Sequence, residues 1–211
     1  MTQPADGLDR IARRQVDKFE ERRRLLAEGA LQTLAERGYA RTSLREIAQH
    51  TEFSHGTLHY YFRDKVELIT YCVRQYKAHC VLRYDGIVDT AESPEQLAVE
   101  FGDGLAATLK EEAFMHRLWY DLRAQSLFEE TFRTDVAEID GGLQEMIWRI
   151  VSRYADLSGR DPVCPPPMAY AFFDGLFEQA LLRFLSGSET ALDELRAGAK
   201  HLLTTVVCGQ A

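Results

Sequence analysis

Several features that define other protein classes are missing from this 211-residue chain. It has only 6 prolines and 14 glycines beside 45% hydrophobic and 27% charged residues, which excludes collagen-like and disordered proteins and is typical of a globular one. No apolar run approaches the roughly 20 residues of a membrane-spanning helix, and the first residues are too polar for a signal peptide. We therefore expect a cytoplasmic protein with no membrane partner.

Cysteine is also scarce. The 4 cysteines form no Cys-x-x-Cys pair and no close group with histidine, so the sequence indicates neither a zinc site nor a disulfide framework. We expect reduced, mostly buried thiols at Cys72, Cys80, Cys164 and Cys208, and neither a metal nor another cofactor.

Signatures of catalysis are absent as well. Gly102-Asp103-Gly104 lies within a helical pattern and follows no strand, so it is not a phosphate-binding loop. The chain has no Gly-x-Ser-x-Gly elbow and no His-Glu-x-x-His pair. We therefore expect no enzymatic activity, with an all-α enzyme as the alternative that a chromogenic substrate screen would test.

Charge is distributed unevenly behind a net charge of -8. Residues 1–65 hold 12 basic and 10 acidic side chains, whereas residues 66–211 hold 13 and 23. A cluster near the N-terminus is basic enough to attract a polyanion even on an acidic protein, although the interleaved Glu20 and Glu21 also fit a solvated helix face. The cluster consists of Arg10, Arg13, Arg14, Lys18, Arg22, Arg23 and Arg24.

Apolar residues recur at helical spacing along almost the whole chain, and no alternating β-branched run bounded by hairpin turns interrupts them. The sequence therefore predicts an all-α protein of about nine helices. We place the first four at Phe19–Arg37, from Leu44 to near Thr51, after Ser54 and after Asp64. Longer helices are predicted over Pro94–Leu109, Glu112–Phe128, Phe132–Leu157, Pro166–Leu185 and Glu189–Val207.

Several helix ends carry recognisable residues. Gly38 suits a left-handed residue after the first helix, and Ser43 with Glu46 forms a Ser-x-x-Glu capping box before the second. Three further helices follow a residue that can cap them, namely Ser54, Asp64 and Ser93.

The stretch from Thr42 to Leu68 indicates a helix-turn-helix, whose second helix is sized to enter the DNA major groove. On a wheel of about 100° per residue, Leu58 and Phe62 point inward. A bare centre with polar shoulders on the opposite side lets the backbone approach base edges while the shoulders reach phosphates. That side presents Gly56, Thr57 and Tyr60, with His59 and Tyr61 on its flanks.

The same stretch resembles the TetR family of bacterial transcriptional regulators. The agreeing residues are Ile47, Ala48, Ser54, Gly56, Thr57, Leu58, Tyr61, Phe62, Lys65 and Leu68, with Gly38-Tyr39 and Thr42-Ser43. The resemblance covers about residues 25–68, and the remainder is similar only in length, helical content and acidic balance. It implies a DNA face formed by Ser43, Arg45, His55, Gly56, Thr57, His59, Tyr60, Tyr61 and Lys65.

Three positions depart from the family pattern. Glu52 stands where the family usually has glycine in the turn, so the turn is either reshaped or left-handed at a cost of roughly 1 to 2 kcal/mol. His55 and His59 replace the common lysine and tyrosine. A nearby phosphate would favour the charged imidazolium, so we predict that operator affinity rises as the pH falls from about 8 to 6.

The last two predicted helices are apolar on more than one face. A helix-turn-helix usually acts in pairs about 34 Å apart on a two-fold related site, and the TetR resemblance implies that these helices pair with those of a second subunit. Burial within one subunit is the alternative. Their apolar residues are Phe172, Phe173, Leu176, Phe177, Leu181, Leu182 and Phe184, then Leu192, Leu195, Leu202, Leu203 and Val206.

The middle of the chain combines aromatic residues with a few polar ones, which is typical of a ligand cavity and equally of a packed core. Trp119 and Arg123 lie one turn apart on one face. The arginine can receive a carboxylate or phosphate, or pair with Asp121, Glu129 or Glu130. The candidate pocket comprises Phe101, His116, Trp119, Tyr120, Arg123, Met146, Phe173 and Phe177.

We assign residues 1–18 to a basic arm, 19–65 to the DNA-binding domain and 66–211 to ligand binding and dimerisation. The resemblance implies a ligand-responsive regulator, with repression expected, that binds a palindromic double-stranded DNA operator as a homodimer and responds to a small-molecule effector. A helical interaction protein that has lost DNA binding is the alternative.

Overall fold

The computed structural model describes residues 5–38 and 42–208, apart from the side chains of residues 5–13, 32, 35 and 208. Within these ranges the fold is all-α, as predicted, with eight α-helices and no strand. None of these helices is long and apolar enough to cross a bilayer. The helices are α1 (Ala5–Arg37), α2 (Leu44–Gln49), α3 (His55–Tyr61), α4 (Lys65–Thr90), α5 (Pro94–Gln125), α6 (Arg133–Ser158), α7 (Pro166–Leu185) and α8 (Ala191–Cys208), with a 3₁₀ turn at Glu130–Phe132.

Two differences from the predicted helices have local causes. Helix α1 begins at Ala5 rather than Phe19, so much of the predicted arm is helical. Pro94–Leu109 and Glu112–Phe128 are one helix, α5, which bends at Glu112, where the backbone is not helical (φ -129°, ψ 26°). Residues 109–112 contain neither proline nor glycine, so nothing in their composition ends the helix there.

The chain divides into two compact units between Val73 and Arg74, within α4. In the first unit, α2 and α3 pack against each other and against α1. The core is formed by side chains that are fully or almost fully buried, which are Leu26, Ala30, Leu34, Leu44, Ile47, Leu58, Phe62, Leu68 and Ile69.

The helix ends of the first unit carry the predicted caps. The Glu46 amide donates to Ser43 Oγ (3.2 Å), and the Glu46 carboxylate accepts from the Ser43 amide (2.8 Å), which completes the capping box. Asp64 Oδ1 accepts from the amide of Glu67 (2.9 Å) at the start of α4. Gly38 closes α1 with a positive φ of 73°, a conformation that favours glycine. These bonds satisfy amides that a helix start leaves without internal partners.

In the second unit, α5 packs against α6, α7 and α8, and α7 packs against both α6 and α8. Ion pairs join the later part of α4 to the same helices: Arg83 to Glu112 of α5 (2.6 Å) and Arg149 of α6 to Asp85 (2.8 Å). Cys80 is buried here, as Cys72 is in the first unit, while Cys164 is partly exposed; all three are free thiols. The side chain of Cys208 lies outside the described residues.

Candidate DNA-binding face and ligand cavity

Helix α3 separates a buried side from an exposed one. Ser54 caps the helix by accepting a hydrogen bond from the Thr57 amide (3.0 Å). Leu58 and Phe62 are fully buried, whereas Tyr60 is 72% exposed. His55, Gly56 and His59 are also exposed, and Thr57 is half-buried with Oγ1 2.8 Å from Ser54 Oγ. Of the residues that the wheel assigned to the DNA side, Gly56 and Tyr60 are therefore exposed and Thr57 is partly exposed.

Aromatic contacts hold the outer side chains of α3. Phe19 of α1 lies against Tyr61, with ring centroids 4.8 Å apart, and also meets Tyr60 at 6.1 Å. The rings of His55 and His59 are adjacent, with centroids 4.4 Å apart. The two tyrosines thus have a support on α1 that limits their rotation, and Tyr61 is the less exposed of the two.

The remaining predicted contacts lie on α2 and α4. Ser43 and Arg45 are exposed at the start of α2, although the Ser43 hydroxyl also donates to the Glu46 carboxylate (2.8 Å). Lys65 is half-buried at the first position of α4. Ser43 therefore stabilises the helix start whether or not it also meets DNA.

The turn before α3 is reshaped rather than strained. No described residue other than glycine has a positive φ, so Glu52 does not keep the left-handed conformation that a glycine would adopt. The strained alternative considered for Glu52 is therefore wrong, and the cost attached to it does not apply.

The basic cluster of α1 is not uniformly solvated. Arg23 stacks between the rings of Phe62 (4.9 Å) and Tyr71 (4.7 Å) and binds Glu67 (2.7 Å), so it is part of the packing. Arg24 pairs with Glu28, while Arg14, Lys18 and Arg22 are exposed. The side chains of Arg10 and Arg13, like the whole of Tyr39, lie outside the described residues.

A cavity of about 60 Å3 lies within the second unit. It has room for a few water molecules or a small compact ligand. Phe101 packs behind its wall with its ring 5.5 Å from that of Phe173, and Arg123 lines a neighbouring depression that shares Tyr120 with the cavity. Of the predicted pocket residues, the structure brings six to the wall: His116, Trp119, Tyr120, Met146, Phe173 and Phe177.

A chain of hydrogen bonds runs from the cavity wall into the protein. Lys77 Nζ lies 3.1 Å from His116 Nδ1, and His116 Nε2 lies 3.0 Å from the hydroxyl of Tyr76. Tyr76 donates to Glu112 (2.7 Å), which also accepts from Arg83 (2.6 Å). An ammonium group is only a donor, so Nδ1 accepts, and Nε2 carries the proton that it donates to Tyr76. Each hydrogen bond in this series is thus donated in the same direction, from Lys77 through His116 and Tyr76 to Glu112.

Protonation states follow from burial. Desolvation, with the charges of Lys77 and Arg83, lowers the pKa of His116 to about 2, so its imidazole is neutral. Burial lowers the pKa of Lys77 to about 8. Burial would raise the pKa of Glu112, but hydrogen bonds from Arg83 and Tyr76 outweigh it and lower that pKa. The wall therefore carries a titratable cation beside a neutral histidine.

Arg123 is occupied by acidic side chains from two other helices. Its guanidinium binds Asp174 of α7 and lies 3.4 Å from Asp140 of α6. The hydroxyl of Tyr120 donates to Asp174 (3.1 Å), and that of Tyr170 donates to Asp140 (2.5 Å). This arginine therefore already has two carboxylates, and both come from helices that are distant from it in sequence.

The cation on the cavity wall is Lys77, which sequence reasoning missed. A signal was available, because Lys77 continues the apolar stripe of α4 that includes Val73, Cys80 and Tyr84. A lysine in such a stripe is either buried with its neighbours or interrupts the buried face. Lys77 is buried, at 7% exposure.

The apolar excess of the last two helices divides between core and surface. Phe173, Phe177 and Leu181 of α7 are buried, as are Leu195, Leu203 and Val206 of α8. A stripe on the other side of α7 is exposed, comprising Met168 (49%), Phe172 (44%), Leu182 (53%) and Leu185 (46%). Burial inside one subunit thus accounts for most of α8 but leaves one face of α7 uncovered.

Known proteins resemble this chain in the sequence of its first unit and in the fold of the whole. Residues 26–72 match the family of bacterial regulatory proteins called the tetR family. No curated protein matches the chain in sequence.

Solved structures share the fold of the whole chain. A TetR transcription regulator from Haloarcula marismortui has a TM-score of 0.72 at 17% identity, covering 89% of this chain and 99% of its own. The regulator FadR from Bacillus subtilis in complex with stearoyl-CoA has a TM-score of 0.70 at 15% identity, covering 88% and 98%. A putative regulator from Saccharomonospora viridis in complex with choline has a TM-score of 0.72 at 17% identity, covering 89% and 98%. The resemblance to the TetR family is therefore confirmed: residues 26–72 match this family in sequence, and the chain shares the fold of a solved TetR regulator.

Proposed function

We propose that the protein is a cytosolic, ligand-responsive transcriptional repressor that binds a palindromic operator as a homodimer. The observation that carries the proposal is the exposed side of α3, where Gly56 and Tyr60 face outward while Leu58 and Phe62 anchor the helix. A short helix with a glycine at its exposed centre suits close approach of the backbone to base edges. Arg45 and Lys65, on the flanking helices, then supply phosphate contacts.

The exposed stripe of α7 supports the homodimer. Met168, Phe172 and Leu182 recur at helical spacing on its uncovered face, which offers an apolar surface to a second copy. Two copies related by a two-fold axis would present two α3 helices to a two-fold related DNA site, which explains a palindromic operator.

The cavity supports a small-molecule effector. Its wall combines apolar side chains with a few polar groups, as ligand sites do. Two regulators of the same fold are named as complexes with small molecules, stearoyl-CoA and choline. Helix α4 supplies residues to both units, so an effector that prefers the subunit spacing unsuited to DNA would weaken operator binding by its differential affinity for the two spacings.

A mobility-shift assay with the DNA flanking the protein's own gene tests the proposal. Gly56→Ala is the most informative variant, because a Cβ at this position meets only Ser54 Oγ, at 3.8 Å. The fold accepts the methyl group, and alanine favours the helix by about 1 kcal/mol, but the methyl group enters the space reserved for DNA. We expect a melting temperature that is unchanged or higher, and operator affinity reduced by about tenfold or more.

Gly86→Ala in α4 is the matched control, since nothing lies within 4 Å of its added Cβ and we place it away from DNA. It should keep the wild-type affinity. Retention of wild-type affinity by Gly56→Ala, or failure of the wild-type protein to bind any fragment at low salt, would contradict the proposal and favour a helical interaction protein.

A further inference from the structure

We propose that the cavity binds a small organic carboxylate, whose oxygens accept hydrogen bonds from the ammonium of Lys77 and the indole of Trp119. The inference names the chemical class of the effector, and to that extent it rests on the proposed function. It depends on two available hydrogen-bond donors on one cavity wall, one of them an ammonium that no carboxylate of the described residues contacts.

Lys77 is a buried cation whose hydrogen-bond partner is uncharged. The residue is 7% exposed, and its ammonium contacts Nδ1 of the neutral His116 at 3.1 Å. The ring faces of Tyr76 and Trp119, each 5.6 Å from Nζ, add only weak cation–π attraction. Within the described part of the chain no carboxylate forms an ion pair with it. An ammonium group has three donors, so two remain for a ligand.

Trp119, which also lines the cavity, carries a second donor. It is 1% exposed, and its Nε1 is buried without a hydrogen-bond partner among the described residues. An indole N–H is only a donor. The groups that remain available on this wall are thus both donors, and a carboxylate offers two acceptor oxygens and a negative charge that the ammonium attracts.

The acidic groups nearest to Lys77 are already engaged, so they do not replace a ligand. Glu112 of α5 binds Arg83 and Tyr76, and Asp174 of α7 binds Arg123 and Tyr120. Asp140 of α6 lies beside Arg123 and accepts from Tyr170. Burial raises the pKa of Cys80, which keeps this neighbouring thiol neutral. These carboxylates attract the Lys77 ammonium without contacting it, and Asp174 also lines the cavity. Two donors of the ammonium therefore remain open to an acceptor from outside the chain.

The rest of the wall defines the body of the ligand. Met146, Phe173 and Phe177 present apolar surface, and the cavity of about 60 Å3 is small. A compact aromatic or short aliphatic acid fits these limits better than a long or highly charged one.

Calorimetric titration of the full-length protein with matched acids and primary amides tests the inference. The probes are benzoate, phenylacetate, butyrate and hexanoate, each beside its amide, which has nearly the same shape but no charge. We expect at least one acid to bind about tenfold or more tightly than its amide, since a charged acceptor forms stronger hydrogen bonds than a neutral one. In Lys77→Met this preference should fall below about twofold.

Two further variants keep the result interpretable. Lys110→Met removes an exposed lysine from α5 and should keep the wild-type preference. Trp119→Phe keeps an aromatic ring but removes the second donor, and should weaken acid binding by about three- to tenfold even if Lys77→Met does not fold. Equal binding of acids and amides by the wild-type protein, no binding of any acid, or a preference that survives both cavity substitutions would overturn the inference.

The outcomes separate this inference from the proposed function. Operator binding without any preference for acids removes the inference alone. A preference for acids that depends on Lys77, in a protein that ignores DNA, removes the proposed function and leaves the carboxylate site.

Discussion

The ammonium of Lys77 and the imidazole of His116 are joined at 3.1 Å inside the second unit, so a buried positive charge rests on a neutral ring. Neutral partners compensate a buried charge only in part, and desolvation accordingly lowers the pKa of Lys77 from 10.5 to about 8. In the ligand-free protein this pair is therefore a local weakness, and its effect on stability depends on pH.

The free energy of unfolding of Lys77→Met, compared with that of the wild-type protein without ligand, should be higher at neutral pH than at high pH. Below about pH 8 the lysine is charged in the folded and the unfolded protein, so the folded state bears the whole desolvation cost. Between about 8 and 10.5 only the unfolded state keeps the proton, and the cost disappears as the pH rises. The difference in unfolding free energy between variant and wild type should shrink by about 3 kcal/mol from pH 7 to pH 10.5.

Urea denaturation at the two pH values measures this change, and Lys110→Met provides the exposed control. In Lys77→Met, Nδ1 of His116 loses its hydrogen-bond donor, which lowers the stability of the variant. This loss does not vary between pH 7 and pH 10.5, because a pKa of about 2 keeps His116 neutral throughout. A difference that stays constant with pH would show that Lys77 is not desolvated.

Arg23→Ala should destabilise the first unit by about 1 to 3 kcal/mol. The guanidinium stacks on Phe62 and Tyr71 and binds Glu67, so its loss removes contacts that join α1 to α4 and the end of α3. Arg24→Ala removes only an exposed pair with Glu28 and should change stability by less than about 0.5 kcal/mol. Chemical denaturation of both variants tests the difference; equal effects would place Arg23 among the solvated residues.

Arg23→Lys should behave like the alanine variant more than like wild type. Lysine keeps the charge but has neither the planar group that stacks between two rings nor the paired donors that meet a carboxylate. A melting temperature of Arg23→Lys equal to that of the wild-type protein would mean that the positive charge alone maintains this contact.

Operator affinity should increase as the pH falls from about 8 to 6, because a phosphate near His55 or His59 favours the charged imidazolium. The two rings are neighbours, with centroids 4.4 Å apart, so a charge on one would oppose a charge on the other. Because either ring could then carry the charge, both must be replaced in one variant. Titrations at constant ionic strength should show a flat profile for His55→Ala with His59→Ala. His79→Ala, on the exposed side of α4, should leave the wild-type profile intact. A flat wild-type profile would refute the role of both rings.

Phe172→Asp with Leu182→Asp should convert the proposed dimer to a monomer. The two residues lie on the uncovered face of α7, and burying their charged replacements in an apolar interface is costly. Sedimentation velocity at micromolar concentration measures the change, and the helical circular dichroism should stay the same. Leu82→Asp, at a more exposed position on α4, is the control and should keep the oligomeric state of the wild-type protein. Monomers in both variants, or in neither, would assign the interface elsewhere.

Local signals were the predictable part of the fold. The caps at Ser43 and Ser54 and the left-handed Gly38 depend on a few neighbouring residues, and they appear as predicted. The early start of α1 was not predictable from apolar spacing, because Val16 and the other described side chains from 14 to 18 are all exposed. Good helix formers such as arginine, lysine and glutamate extend a helix without leaving that signal.

The polar partners in the second unit depend on tertiary structure. Arg123 binds acidic residues of α6 and α7, and Lys77 binds a histidine of α5, so each partner is far away in sequence. Helical periodicity identifies a face but not what it meets. This is why His116, Trp119 and Phe177 were predicted at the cavity while the cation beside them was not.

The burial of Trp119 also gives the protein an optical reporter of its own. Its indole, sealed from water and 5.6 Å from the ammonium of Lys77, emits from the wall of the cavity, whereas Trp148 is partly exposed. In a Trp148→Phe background, ultraviolet-excited emission would arise from this single site. Occupancy of the cavity, and the rate at which it fills and empties, would then be visible in unlabelled protein.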